Sequence, residues 1–389
     1  MAKERMTGEV SGAFGDLGTF LPHVLSVITV AGFKPAGIFT LFGIFYLFTG
    51  LFYRMPVPVQ PMKVASAAVL TGRVTSAEVA GATLVVGVTL LVLGVTGVIG
   101  YFARKIPRAV VSGVQLGLGG GLALLGLAMV GSNLPIGLLT MTVMLPVGLN
   151  RRLPQAVTGV VVGILAGLVL GKIPDWPELE ISLQFPSVSF PAWRDIWHGT
   201  IKMGLPQLSL TLTNAVIVTA TLAQRLFPGN RRASSGMLAL TQGAANLVSG
   251  LLGGFPMCHG AGGLAAHHRF GARTGGATMM IGVVLLATGL WFGDAALALL
   301  RVVPEASLGA LLFYGAADLA IVGWSPESRR DILVSLTVAV LAVSLNPALA
   351  IIVGLILFHL LEVSLLPDLG QSQGLFLNKG SNVAQSPDQ

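Results

Sequence analysis

The sequence predicts an all-α polytopic membrane protein made of two inverted halves of seven spans each, and three observations carry that expectation. Of 389 residues, 53% are hydrophobic and only 10% charged, whereas a soluble chain needs about a quarter of its residues charged to cover its surface. Apolar blocks separated by Gly, Pro and charge clusters fill the chain and supply about fourteen spans of roughly 20 residues. Two blocks too short to cross a bilayer occupy corresponding places in the two halves, each after an extended Pro-containing segment. That pairing points to an inverted-repeat transporter with its site near the midplane.

The first half, residues 1–171, holds blocks near 12–32, 35–53, 61–72, 75–99, 108–130, 134–150 and 153–171. Its opening run, Met1-Ala2-Lys3-Glu4-Arg5, is basic but leads into Gly and Asp rather than a clean apolar stretch, so it is expected to be retained. The short third block follows Met55-Pro56-Val57-Pro58-Val59-Gln60. Residues 172–198 carry Asp175, Glu178, Glu180 and Asp195 with Trp176, Trp193 and Trp197, which suits an outer linker with an interfacial segment. The second half, 199–366, holds blocks near 199–223, 234–252, 258–268, 276–300, 305–322, 330–345 and 347–366. Its short third block follows Gly253-Gly254-Phe255-Pro256-Met257. The polar tail, 367–389, is expected to be disordered and cytoplasmic.

Basic residues set the orientation. With seven spans per half, Arg104-Lys105, Arg151-Arg152, Arg231-Arg232 and Arg329-Arg330 all fall on the side of the termini. Both termini are therefore expected in the cytoplasm, and an odd span number forces the halves into opposite orientations. The same bias accounts for the net charge of +7, so nucleic acid is not an expected partner. A single cysteine, Cys258, excludes an internal disulfide framework. The expected location is an integral position in a prokaryotic plasma membrane, with lipid as the partner of the outer faces.

An ionisable residue inside a bilayer is costly, so each one calls for a reason. Asp16 sits in Gly12-Ala13-Phe14-Gly15-Asp16-Leu17-Gly18-Thr19-Phe20, where it reads either as a helix cap or as a proton-coupling carboxylate approached by backbone. Lys63 follows Gln60-Pro61-Met62, with the proline suited to the first turn of a half-helix. A helix that starts mid-membrane aims unpaired N–H groups and its positive dipole end into a cavity, which favours anions.

The second short block repeats this device in Cys258-His259-Gly260-Ala261-Gly262, where small residues expose the backbone amides. Two such termini meeting from opposite sides would make one anion cradle. His259 ionises near neutral pH and is a second proton-coupling candidate. Cys258 and His259 supply too few ligands for a metal, and no cofactor is expected. They also diverge by about 100° on a helix, which disfavours an enzyme with a nucleophile–base pair there. His267-His268-Arg269 reads as a cytoplasmic boundary. In block 199–223, Gln207, Thr211 and Asn214 are neutral groups able to bind oxyanion oxygens. No carboxylate lies near them, which counts against a nucleobase permease.

The runs Gly12–Phe20, Pro58-Val59-Gln60-Pro61-Met62-Lys63, Leu205-Pro206-Gln207-Leu208-Ser209-Leu210-Thr211 and Pro256-Met257-Cys258-His259-Gly260-Ala261-Gly262-Gly263-Leu264 resemble the signatures of the molybdate transporter family. This is the branch of the sulfate-permease superfamily without the C-terminal regulatory domain. The resemblance implies a nucleobase-permease/sulfate-permease-like fold in which a core domain (spans 1–4 and 8–11) moves against a gate domain (5–7 and 12–14). It further implies proton-coupled import of molybdate, with sulfate the nearest alternative. A homodimer is left open.

Overall fold

Lipid offers the backbone no hydrogen-bond partner, so a spanning chain satisfies its amides internally, and helices are the local solution. The computed structural model describes residues 2–99, 101, 106–150, 155–172, 181–293, 295, 302–324, 326–345 and 349–361. The expected tail, 367–389, and part of the expected linker lie outside them.

The first half begins with α1 (Ala2–Gly15) and α2 (Leu17–Thr29), a helix interrupted at Asp16 rather than a single span over 12–32. After α3 (Pro35–Tyr53) come the two-residue strand β1 (Gln60–Pro61) and the half-helix α4 (Lys63–Leu70). Then follow α5 (Ser76–Thr96), α6 (Arg108–Val130), α7 (Leu134–Asn150) and α8 (Gln155–Val169). Residues 181–192 cross the surface without regular structure, held by Gln184 N–H donating to the Leu290 carbonyl (2.7 Å) and Ser189 N–H to that of Leu251 (2.8 Å).

The second half opens with α9 (Trp193–Leu226), a continuous helix of 34 residues. It starts at Trp193 and not at 199, because the Asp195 carboxylate accepts the Ala192 N–H (3.2 Å) and caps the chain before the expected boundary. Trp193 and Trp197 therefore ride on its first turns. Pro206 withdraws one N–H from this helix, which widens into π geometry over Thr200–Gly204 and again over Thr211–Val218. Next come α10 (Ser235–Leu251), β2 (Met257–Cys258), the half-helix α11 (Ala261–Arg269) and α12 (Gly276–Trp291). The last helices are α13 (Glu305–Gly323), α14 (Arg329–Ser344) and α15 (Leu349–Leu361).

Among the described residues, four helices are each long and apolar enough to cross a membrane. Val88, Val92 and Val95 on α5 and Val161, Leu165 and Val169 on α8 form exposed apolar stripes at helical spacing. Such stripes face lipid in an integral membrane protein. Helix pairs close through glycines. A Cβ on Gly43 of α3 would strike the backbone of Gly282 and Leu286 in α12, and one on Gly126 of α6 that of Gly309 in α13. Small residues let backbones approach where no hydrophobic effect drives helices together.

Candidate functional site

The site is built where the two extended segments cross. β1 and β2 pair antiparallel, with Gln60 opposite Cys258 and Pro61 opposite Met257, and Met62 N–H donates to the Pro256 carbonyl (2.9 Å). Short strands suffice because neighbouring side chains take the remaining backbone groups. On α10, Asn246 accepts Met257 N–H (3.0 Å) and donates to its carbonyl (2.8 Å), while Gln242 Oε1 accepts His259 N–H (3.2 Å). The crossing ends in two half-helices whose first turns start inside the protein. Met62 is fully buried and Cys258 nearly so.

The two helix starts differ. At α4 the Val64 N–H donates to Gln207 Oε1 (3.1 Å), and Gln207 Nε2 in turn donates to Thr211 Oγ1 (2.9 Å). Gln207 and Thr211 are thus brought to the half-helix as the sequence suggests, but as its cap. Lys63 is half-buried beside them. Asn214 sits in the π stretch of α9 and is half-buried. Its backbone carbonyl accepts the Thr219 hydroxyl (3.1 Å), which also lies 3.4 Å from the His259 carbonyl.

At α11, the N–H groups of Ala261, Gly262 and Gly263 have no intrahelical partner. Ala261 is buried, Gly262 is exposed, and a Cβ built on Gly262 meets nothing within 4 Å. Gly260 and Gly263 are the reverse: a Cβ on either would run into the Gln60 amide. The space for a ligand therefore opens at Gly262.

His259 is locked. Its Nδ1 lies 2.8 Å from the Pro58 carbonyl, which can only accept, so Nδ1 carries the hydrogen and Nε2 faces the Thr241 hydroxyl at 2.9 Å. Thr241 is itself 2.6 Å from the Tyr53 hydroxyl, and the Tyr53 ring meets His259 edge-on. Asp16 is fully buried at the α1–α2 break. One carboxylate oxygen accepts the Tyr46 hydroxyl (2.7 Å) and the other the Gln60 side-chain N–H. His267, also fully buried, places Nε2 3.8 Å from the first of these oxygens.

His267 corrects the expectation of a boundary residue: it points inward, while His268 is half-buried and Arg269 exposed. Tyr46, Thr241, Gln242 and Asn246 also escaped the sequence reading. Gln242 and Asn246 had a signal, since two amides four apart stand on one face of an otherwise apolar helix. A cavity of about 750 Å³ that shares no residue with the crossing is lined by Arg54, Asn230, Arg231, Arg232 and Arg273, among others. It sits one residue past Tyr53, whose carbonyl accepts the Asn230 side-chain N–H (2.8 Å).

Comparison with known proteins places this arrangement. A family model described as "Molybdate transporter of MFS superfamily" matches residues 8–122 and 199–319, which contain both half-helices and Asp16. Molybdate transporter 2 of Arabidopsis thaliana is 30% identical, over 93% of this chain and 88% of its own. Among solved structures, the transmembrane domain of the cyanobacterial bicarbonate transporter BicA aligns with a TM-score of 0.66 at 18% identity, covering 91% of this chain and 97% of that one. The murine anion transporter Slc26a9 aligns with a TM-score of 0.67 at 17% identity, covering 92% and 68%. The fold is thus of the BicA and SLC26 type.

Proposed function

This chain belongs to the molybdate transporter family, and on that premise we propose that it is a secondary active transporter importing molybdate with protons by alternating access. The observation that carries the reading is the pair of half-helix N-termini converging at the β1–β2 crossing, one beside Lys63 and the other open at Gly262. Two positive dipole ends and a cation suit a tetrahedral dianion, and the neutral groups of Gln207, Thr211 and Asn214 complete the lining.

The helix pairing supports fourteen spans in a 7+7 inverted repeat. Such a repeat carries α3 onto α10 and α5 onto α12, so a contact between α3 and α12 must recur between α10 and α5. Both pairs are among the most extensively packed. The β1–β2 and α6–α13 contacts map onto themselves in the same way. On this reading α1–α5 with α9–α12 make the core, and α6–α8 with α13–α15 make the gate. Both termini lie in the cytoplasm.

Importing a dianion against a negative interior costs about 2.3 kcal/mol per charge per 100 mV, so uptake needs accompanying cations. Asp16, buried beside the crossing, is the carboxylate against which the coupling proton is held. His259 is the less suited candidate, since both its ring nitrogens are engaged in holding the crossing together.

Uptake of radiolabelled molybdate into proteoliposomes, with and without an inward proton gradient and with sulfate as competitor, tests the reading. Saturable accumulation above equilibrium only under the gradient is expected. Uptake that equilibrates but never accumulates would make the protein a channel, and preference for sulfate would reassign the substrate.

A further inference from the structure

We propose that His267, facing Asp16 near the far end of α11, is the residue that takes up a proton when the anion binds, so that one half-helix carries substrate at its start and the coupling proton near its end. The inference rests on the oxyanion-transporter reading above.

The tautomer follows from the neighbours. His267 Nδ1 lies 2.7 Å from the Gly12 carbonyl, which has no hydrogen to give, so Nδ1 is the donor and Nε2 is left to gain or lose a proton. Nε2 is buried and has no hydrogen-bond partner, yet it stands 3.8 Å from an Asp16 oxygen. The carboxylate already accepts the Tyr46 hydroxyl and the Gln60 amide, an arrangement suited to its ionised form. A neutral imidazole leaves an unpaired acceptor against a buried negative charge. One added proton on Nε2 converts this into a closed imidazolium–carboxylate pair, and the pair then holds a single shared proton with no net charge.

Mechanical linkage comes from the same helix. Gly263, two residues into the first turn after Ala261, packs directly on the Asp16 and Gln60 side chains, and Gly8 and Gly12 of α1 pack on the backbone of Gly271 and Ala272 beyond the helix end. Anion binding at Gly262 that shifts α11 therefore alters the Asp16–His267 separation.

Charged and titratable groups among the described residues approach the pair from several elements. Tyr46 comes from α3, Cys258 from β2 and Lys63 from the head of α4. Arg225 stands in the last turn of α9, His268 in the last turn of α11, and Arg273 past the end of that half-helix. Glu9 of α1 is spent on the backbone N–H groups of Arg273, Thr274 and Ala277. None of them has a hydrogen bond to Nε2.

The test is proton uptake on adding molybdate to purified protein in weakly buffered detergent, read with a pH-indicator dye. Wild type should take up protons. His267→Asn keeps a donor for the Gly12 carbonyl but has no titratable nitrogen, and once saturated with molybdate it should take up none; His267→Gln should behave alike. Wild-type-like proton uptake in either variant overturns the inference and leaves the transporter reading standing; wild type that binds molybdate without any overturns the inference and, with it, coupling at this pair, while the oxyanion-binding part of that reading stands. Wild type that binds neither molybdate nor sulfate overturns that reading and the inference together.

Discussion

The half-helices α4 and α11 occupy equivalent places in their halves, yet they present different surfaces to the crossing. The start of α4 carries a long cation, Lys63, and one of its free amides is capped by Gln207. The start of α11 is Ala261-Gly262-Gly263, with no side chain over the open position and with Asp16 packed against its third residue. The difference teaches that two half-helices meeting at one strand pair can carry unlike side chains at their starts. The first terminus carries the Lys63 side chain and a capped amide, while the second offers bare amides and packs against Asp16.

That division is broken most severely by filling the open terminus. Gly262→Leu should abolish molybdate binding in calorimetry while leaving a folded protein, because the side chain projects into space that nothing else occupies. Gly282→Leu should do the opposite, lowering the melting temperature, since its Cβ meets Leu47 and the Gly43 backbone. Gly260 makes a poor probe of the ligand space, as any side chain there collides with Gln60 first. If Gly262→Leu binds normally, α11 does not hold the anion.

A middle-sized effect should come from the capped terminus. Gln207→Ala leaves the buried Val64 N–H without its acceptor and removes the partner of Thr211, and should weaken binding by about 1–3 kcal/mol. Calorimetry on monodisperse protein measures it, and normal affinity would remove the cap from the site. The smallest effect is expected at Asn214, whose side chain is half-buried at the edge of the lining. Asn214→Ala should cost about 0.5–1.5 kcal/mol of affinity. A larger loss there than at Gln207 would shift the binding weight from the half-helices to the π stretch of α9.

Membrane class, the approximate span positions, both half-helices and the segments that precede them were determined by the sequence alone, and for one reason. Each depends on local composition: apolar runs of spanning length, prolines before a helix start, glycines where backbones approach. Asp16 stood out too, as a carboxylate is costly in lipid, and the fold buries it at the α1–α2 break. What each polar side chain does was decided only by tertiary structure. Gln207 was expected at the site for its amide, but that it also accepts the Val64 N–H and so caps α4 depends on a neighbour 143 residues away. His259 looked titratable from its type, but Pro58 and Thr241 occupy both ring nitrogens. His267 looked like a boundary residue from its neighbours His268 and Arg269, yet the helix turns it inward to Asp16, 251 positions earlier in the chain. One-dimensional pattern reports the free-energy cost of placing a residue in lipid, while the partner that offsets that cost comes from across the fold and has no signature at short range.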